Sequence, residues 1–128
     1  MSEAADFPRA FAAAFGAQDA NGLAALFAED GSFHGLTGQF SEGRKAIETE
    51  MQAEFAGLSR MARLVTGKFR LRALGPGAAI LHQRFVVTGL RDAQGQDLAR
   101  VGALLTAVLV AKEEGWHALT ATFAVVES

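Results

Sequence analysis

Residues 101–126 read VGALLTAVLVAKEEGWHALTATFAVV, and this stretch decides the fold class. Apolar side chains recur at every second position on both sides of KEEG, a short run rich in charge and glycine. A period of two is typical of β-strands, and the polar break between them indicates a hairpin. The same period extends back to residue 62, interrupted by the turn-forming stretches GPG and RDAQGQD. The sequence therefore predicts a meander of long strands at about 62–74, 78–90, 97–111 and 116–127.

The N-terminal segment has helical periodicity instead. A helix is predicted over residues 5–17, because one face of it would carry Phe7, Phe11, Ala14 and Phe15. Asp19 is a candidate N-cap for a short second helix. Gly31, in EDGSF, is expected to close that helix in the left-handed conformation, and a short strand is predicted near 32–35.

A third helix is predicted from a cap at Ser41 to about Leu58, with Ile47, Met51, Phe55 and Leu58 on its buried side. Helices followed by a strand meander predict an α+β protein, in which three N-terminal helices pack on one face of an antiparallel sheet.

The turns between the predicted strands fix a provisional pairing register. Pairing residues whose numbers sum to about 152, 188 and 228 in successive hairpins gives two rows across the sheet. The row expected to face the helices contains Phe69, Gln83, Leu105 and Phe123, flanked by Leu71, Leu81, Phe85, Ala103, Ala107, Ala121 and Val125. The opposite row contains Arg70, His82, Thr106 and Thr122.

The strand at 97–111 is apolar on both faces. Leu104, Val108 and Val110 would lie on the side that the helices do not cover. An antiparallel sheet usually turns such a face to water and is polar there, and a contiguous exposed apolar area marks an interface. We therefore expect a homodimer that forms through this outer sheet face.

Composition places the chain among single-domain globular proteins. Its 128 residues fit one domain, 1–128, and half of them are hydrophobic. The absence of cysteine excludes disulfides and thiolate chemistry. The start lacks a basic segment followed by an apolar one, and no apolar run reaches the length of a membrane span. We expect a cytoplasmic protein without a membrane partner.

Charge is distributed unevenly although the net charge is only −2. Residues 1–54 contain nine acids and three bases, whereas residues 55–91 contain seven bases and no acid. A basic stretch can attract nucleic acid, but no aromatic residues interleave with these bases as they do in RNA-binding surfaces. A basic sheet surface that faces the acidic helices or an acidic partner subunit is the favoured interpretation, and no nucleic-acid partner is expected.

Two passages resemble a known family. LFAEDGSF…GQFSEGRKAI and TAVLVAKEEGWHALTATF resemble the SnoaL-like branch of the nuclear transport factor 2-like superfamily, which includes polyketide cyclases and ketosteroid isomerases. The resemblance covers roughly residues 5–126. It implies a cone-shaped α+β fold with a curved sheet, a cavity between sheet and helices, and dimerisation through the sheet. It indicates the fold far more strongly than the activity.

The catalytic residues of the steroid isomerases are missing from this chain. The resemblance aligns their general base, tyrosine and second acid with Gly35, Phe11 and Ala107, and the sequence contains no tyrosine. Isomerisation by that mechanism is therefore not expected.

His34 is the remaining candidate for catalysis. The resemblance places it on the strand that forms the pocket wall, where an imidazole could move a proton near neutral pH. A rim histidine without a catalytic role is the alternative. Glu29 and Asp30 are interpreted as turn-forming residues at the end of the second helix, or as partners of Arg44.

Gln83 is the one strongly polar side chain on the predicted inner face, so it either bonds a helix backbone group or awaits a ligand. The predicted ligand-binding set consists of Phe11, Phe15, Phe33, Phe69, Gln83, Phe85, Leu105 and Phe123. The histidines are too far apart for a metal site, no phosphate loop or nucleophile motif is present, and no cofactor is expected.

Two functions remain open from the sequence. The first is binding of a small hydrophobic molecule in an apolar cavity, with cofactor-free isomerase, cyclase or dehydratase chemistry by His34. The second is a non-catalytic dimeric binding or structural module whose cavity is filled by its own phenylalanines.

Overall fold

The computed structural model describes residues 1–127, with Glu127 described through its backbone alone. Helices precede a curved and unclosed six-stranded sheet, which confirms the predicted α+β class. After a 3-10 turn at Ala4–Asp6, the elements are α1 (Phe7–Gly16), α2 (Ala20–Ala24), β1 (Phe27–His34), β2 (Phe40–Glu42), α3 (Arg44–Ala56), β3 (Arg63–Ala73), β4 (Ala78–Thr88), β5 (Val101–Lys112) and β6 (Gly115–Glu127).

α2 begins where the sequence predicts, and α1 begins at Phe7, two residues later than predicted, after the 3-10 turn. Phe7, Phe11 and Phe15 recur at every fourth position of α1 and are fully buried. Asp19 caps α2, because its Oδ1 accepts a hydrogen bond of 2.9 Å from the Gly22 amide. This cap satisfies one of the amides that a helix start leaves without a partner.

β1 corrects the prediction for the segment after α2. Glu29, Asp30 and Gly31 do not end a helix, since they lie in the middle of a strand that begins at Phe27. Arg44 does not pair with either carboxylate either, because its guanidinium donates two hydrogen bonds to the Phe27 carbonyl, at 2.6 and 3.1 Å.

The start of α3 is also different from the prediction. Ser41 is a buried residue of β2 rather than a cap, and Gly43 precedes the helix with a φ of +92°, which favours glycine. Ile47, Met51 and Phe55 form the buried side of α3, as predicted.

The sheet order is β2-β1-β6-β5-β4-β3. The meander is antiparallel, but β1 pairs with β6 in parallel, so the sheet is mixed rather than wholly antiparallel. The predicted register is confirmed at its centre: Phe69 pairs with Gln83, Gln83 with Leu105, and Leu105 with Phe123. The outer row Arg70, His82, Thr106 and Thr122 is confirmed by the same ladders.

The interior of the fold is filled by phenylalanine rings. Phe11 lies at its centre, with ring centroids 5.3 Å from Phe123, 6.0 Å from Phe33 and 6.4 Å from Phe85. Each buried ring stabilises the fold by about 1.5–3 kcal/mol through removal of its apolar surface from water. The cone interior is therefore solid core at this point.

The outer face of the sheet is partly apolar and uncovered. Leu104, Val108 and Val110 are half-buried there. Two polar contacts connect neighbouring strands on this face: Ser32 Oγ lies 2.8 Å from Thr120 Oγ1, and His82 Nδ1 lies 3.2 Å from Thr106 Oγ1. Across residues 1–127, no helix is both long and apolar enough to cross a membrane.

Candidate ligand-binding cleft

An open cleft of about 550 Å³ lies between α1 and the inner face of β3. β3 is the edge strand, and all of its residues except Leu64 are exposed. Phe69 and Leu71 point toward the helical layer but remain 42% and 38% exposed. The residues that line the cleft are Ala5, Pro8, Arg9, Ala12, Thr66, Gly67, Phe69 and Gln83.

The helical wall of the cleft is a stripe of small residues. Ala5, Pro8 and Ala12 follow one another at spacings of three and four, beside the buried phenylalanine stripe of α1. Their short side chains leave the space open. A smaller depression of about 290 Å³ adjoins the cleft at Ala5 and is lined partly by Leu71 and Trp116.

A β-bulge shapes the strand wall. The register between β3 and β4 shifts between Thr66 and Phe69, so that Gly67 and Lys68 together oppose Arg84. A bulge bends its strand and interrupts the ladder of backbone hydrogen bonds. Here the bulge lies at the cleft, since Thr66, Gly67 and Phe69 are among the lining residues.

Gln83 connects the bulge to the cleft. Its Nε2 donates to the carbonyls of Arg84, Gly67 and Lys68, at 2.8, 3.1 and 3.3 Å. Three carbonyls can face only the donor end of the amide, which fixes which end is nitrogen. Gln83 therefore bonds strand backbone, not the helix backbone that the sequence suggested.

The oxygen of the same amide has no such partner. Gln83 is only 4% exposed, and within the described part of the chain its Oε1 accepts no hydrogen bond. Since Gln83 lines the cleft, this oxygen is the acceptor that the cleft presents. This oxygen is not among the side-chain atoms that are closed off from solvent, so water can satisfy it in the empty cleft and a ligand hydroxyl or N–H can replace that water.

The predicted ligand-binding residues divide into two groups. Phe69 and Gln83 line the cleft. The others are not at the cleft, since they are packed into the core and almost completely buried: Phe11, Phe15, Phe33, Phe85, Leu105 and Phe123. The sequence could not separate the groups, because all eight share the inner face and differ only in whether α1 covers them.

His34 lies away from the cleft. It pairs with Thr122 on β6, so its exposed side chain is on the outer face, and its ring contacts Phe40 edge-on at 6.4 Å. His34 therefore does not line the cleft, and the predicted acid–base role has no support from its position. In contrast, Phe33 points inward from the preceding position and joins the core.

Two residues of interest were missed by sequence reasoning. Arg9 places a guanidinium beside the cleft and makes no ion pair with any described side chain. Glu54 is buried on α3, where its spacing of seven from Ile47 could have indicated an inward position. Burial raises the pKa of Glu54 above its ordinary value, a shift that a 2.9 Å hydrogen bond from Ser59 opposes and nearby Glu50 reinforces.

Metal chemistry has no support in the described residues, among which no cluster of three histidine, cysteine, aspartate or glutamate side chains could hold an ion. The cleft can offer a ligand one aromatic face, one unpartnered acceptor, one cation and one hydroxyl, the last from Thr66. This set suits the binding of a small amphipathic molecule.

Helices packed on a curved sheet, with a cleft at the open edge strand, define a class of small α+β proteins. The chain belongs to the SnoaL-like domain family, whose model matches residues 9–107. No protein of curated function matches its sequence.

Solved structures with similar folds have low sequence identity. An uncharacterised protein with a cystatin-like fold from Caulobacter vibrioides has a TM-score of 0.85 at 20% identity, covering 96% of this chain and 87% of its own. A ketosteroid isomerase-like protein from Erwinia carotovora atroseptica has a TM-score of 0.82 at 12% identity, covering 97% and 94%. An NTF2-like protein from Novosphingobium aromaticivorans has a TM-score of 0.75 at 19% identity, covering 94% and 78%. These likenesses establish the fold alone.

Proposed function

We propose that this protein binds a small hydrophobic molecule in the cleft between α1 and β3. The observation that carries the proposal is the unpartnered Gln83 oxygen beside the 42% exposed ring of Phe69 in a cleft of about 550 Å³. Small-molecule sites have this size and this combination of apolar surface with a few placed polar groups. Membership of a SnoaL-like family, in which hydrophobic ligands are common, supports it.

We propose binding of the ligand alone, without a proton-transfer step. Isomerase, cyclase or dehydratase chemistry occurs in this fold family, but a general base must reach the proton that it removes. No carboxylate or imidazole is among the described residues that line the cleft, and His34 lies on the other face. The phenylalanine-filled interior favours the second possibility drawn from the sequence, a non-catalytic module, with the ligand held at its open edge.

We propose further that a second copy of the chain covers the outer sheet face. The centre of this face is apolar, with Leu104 and Val108 half-buried in the single chain. Its two edges carry opposite charge, since Arg70 and Arg72 lie on β3 while Glu42 lies on β2. A two-fold axis parallel to the strands would place the basic edge of each copy over the acidic edge of the other.

Phe69→Ala tests the binding site. Native mass spectrometry and fluorescence titration with 2-methoxynaphthalene, a neutral apolar probe, should show binding to the unchanged protein. The variant should bind about tenfold more weakly, because the exposed ring supplies much of the apolar contact.

Val65→Ala is the matched control. Val65 is also an exposed apolar residue of β3, but it pairs with Val86 on the outer face. Its truncation should leave the affinity unchanged. Equal affinity of the Phe69 variant and the unchanged protein would contradict the proposed site.

A further inference from the structure

The cleft holds polar groups that restrict its ligand beyond hydrophobicity. Arg9 provides a cation without a described acidic partner, and Gln83 provides an acceptor oxygen that no described donor satisfies, at the opposite end of the amide from its three carbonyl partners. Phe69 and the small residues of α1 provide the apolar surface between them. Each of these features favours a different part of a ligand.

We infer that the ligand is an amphipathic organic acid: a flat apolar body with a hydrogen-bond donor at one end and a carboxylate at the other. The inference rests on the proposed function of the cleft and names the ligand class for that site. It requires no side chain other than those that line the cleft.

Gln83 selects for a donor, because its orientation cannot reverse. Turning the amide would place its oxygen against the carbonyls of Gly67, Lys68 and Arg84, which accept hydrogen bonds and cannot donate them. The group presented to the ligand is therefore always an acceptor. A ligand hydroxyl or N–H can satisfy it, whereas an ether or ketone at the same place leaves two acceptors facing each other.

Arg9 selects for an anion. A guanidinium presents its N–H groups in a planar fork that matches a carboxylate, and such charge-assisted hydrogen bonds are stronger than neutral ones. Arg9 is exposed, so solvent and salt weaken this attraction. The effect of the carboxylate should accordingly be modest and should fall as salt rises.

Phe69 selects for a flat body. An aromatic ring that is partly exposed at a cleft wall offers its face or edge to another ring. Ala5 and Ala12 on the opposite wall offer no polar atom from their side chains. A fused aromatic body therefore suits the space better than a sugar or a peptide.

The test compares four probes on the unchanged protein, which avoids any question of folding. 6-Hydroxy-2-naphthoic acid carries both groups, 6-methoxy-2-naphthoic acid lacks the donor, 2-naphthol lacks the carboxylate, and 2-methoxynaphthalene lacks both. Titration calorimetry at low salt should give the tightest binding for the first, with a loss of roughly tenfold when the donor is removed and of about two- to fivefold when the carboxylate is removed. Added salt should weaken the two acids and leave the neutral probes unchanged.

Two charge-neutralising variants test whether Arg9 causes the preference for a carboxylate. Arg9→Gln should bind the acids and the neutral probes alike, since the cation at the cleft is gone. Arg100→Gln removes the same charge from an exposed loop outside the cleft and should keep the preference of the unchanged protein.

Gln83→Met tests the acceptor, and it should remove the preference for hydroxyl over methoxyl. If this variant does not fold, the hydroxyl and methoxyl probes on the unchanged protein still decide the point.

The outcomes separate the two proposals. If the four probes bind equally, the ligand class is wrong while the cleft remains a hydrophobic site. If none of them binds, or if Phe69→Ala leaves their binding unchanged, the proposed function is wrong and the ligand class falls with it.

Discussion

Glu54 and Gln83 show how single buried polar residues are accommodated in this apolar core. The amide nitrogen of Gln83 donates to the backbone carbonyls of Gly67 and Lys68 in the bulge and of Arg84 opposite it. Its oxygen accepts no hydrogen bond from the described residues. Glu54 accepts a hydrogen bond from the Ser59 hydroxyl and is almost completely shielded from solvent. The sequence indicated an inward position for Gln83, whereas Glu54 was missed. The partners of both residues could not be predicted, because a bulge and a helix end are not marked by periodicity.

Glu54 is expected to make stability depend on pH. Burial raises the pKa of its carboxyl above the ordinary value of 4.5, so the native state retains this proton at pH values where the unfolded chain has lost it. The contribution of Glu54 to stability is therefore full below about pH 4.5 and is lost as pH rises through the folded pKa.

Glu54→Gln should remove that loss, because a glutamine cannot ionise and its oxygen can still accept from Ser59. Urea denaturation at pH 4.5 and pH 7.5 should show the variant gaining stability relative to the unchanged protein as pH rises. Glu113→Gln, in the exposed turn between β5 and β6, is the control and should show no such relative gain. If the stability of the unchanged protein and of the Glu54 variant changes with pH in parallel, the pH dependence does not come from Glu54.

At the scale of elements, the long strands were predictable and the first strand was not. The meander follows local alternation and turn chemistry, which fixed even the pairing of Gln83 with Leu105. β1 depends on a parallel neighbour, β6, that lies far along the chain. Nothing local to EDGSF distinguishes a helix end from a strand that another strand stabilises, so Gly31 was interpreted from its conformational freedom alone.

Gly31 is needed for close approach of backbones rather than for a turn. A Cβ at this position would lie 3.0 Å from the carbonyl oxygens of both Ala118 and Ala28, and neither backbone group can easily move. Gly31→Ala should therefore destabilise the fold by about 1–3 kcal/mol, the usual cost of overpacking. Gly77→Ala is the control, because a Cβ there meets open space and should change stability little. Chemical denaturation of both variants measures the difference, and an unchanged midpoint for Gly31→Ala would contradict the close packing of β1 on β6.

At the scale of the whole molecule, one sheet serves two purposes. Its inner face packs on the helices and opens at β3, where the bulge and the small residues of the helical layer line the cleft. Its outer face has the apolar centre and the opposed charged edges that a second copy would cover. The sequence predicted the division into faces, because alternation assigns every strand residue to one side. It could not predict the cleft, because the space depends on how far α1 extends across the sheet.

The proposed dimer makes a distinct prediction at its centre. Val108 lies on the outer face of β5 between Ile80 and Thr120, and a two-fold axis near it would bring its copy close. Val108→Asp should therefore weaken association by about a hundredfold or more, since symmetry buries the new carboxylate twice without a partner. Light scattering coupled to size-exclusion chromatography should report a dimer for the unchanged protein and a monomer for the variant. Leu74→Asp introduces the same charge at an exposed apolar residue in the β3–β4 turn and should stay dimeric. Because Val108 lies on the opposite face of the sheet from the cleft and is not one of its lining residues, the monomeric variant should still bind 2-methoxynaphthalene, so loss of the dimer and loss of the site are separate results.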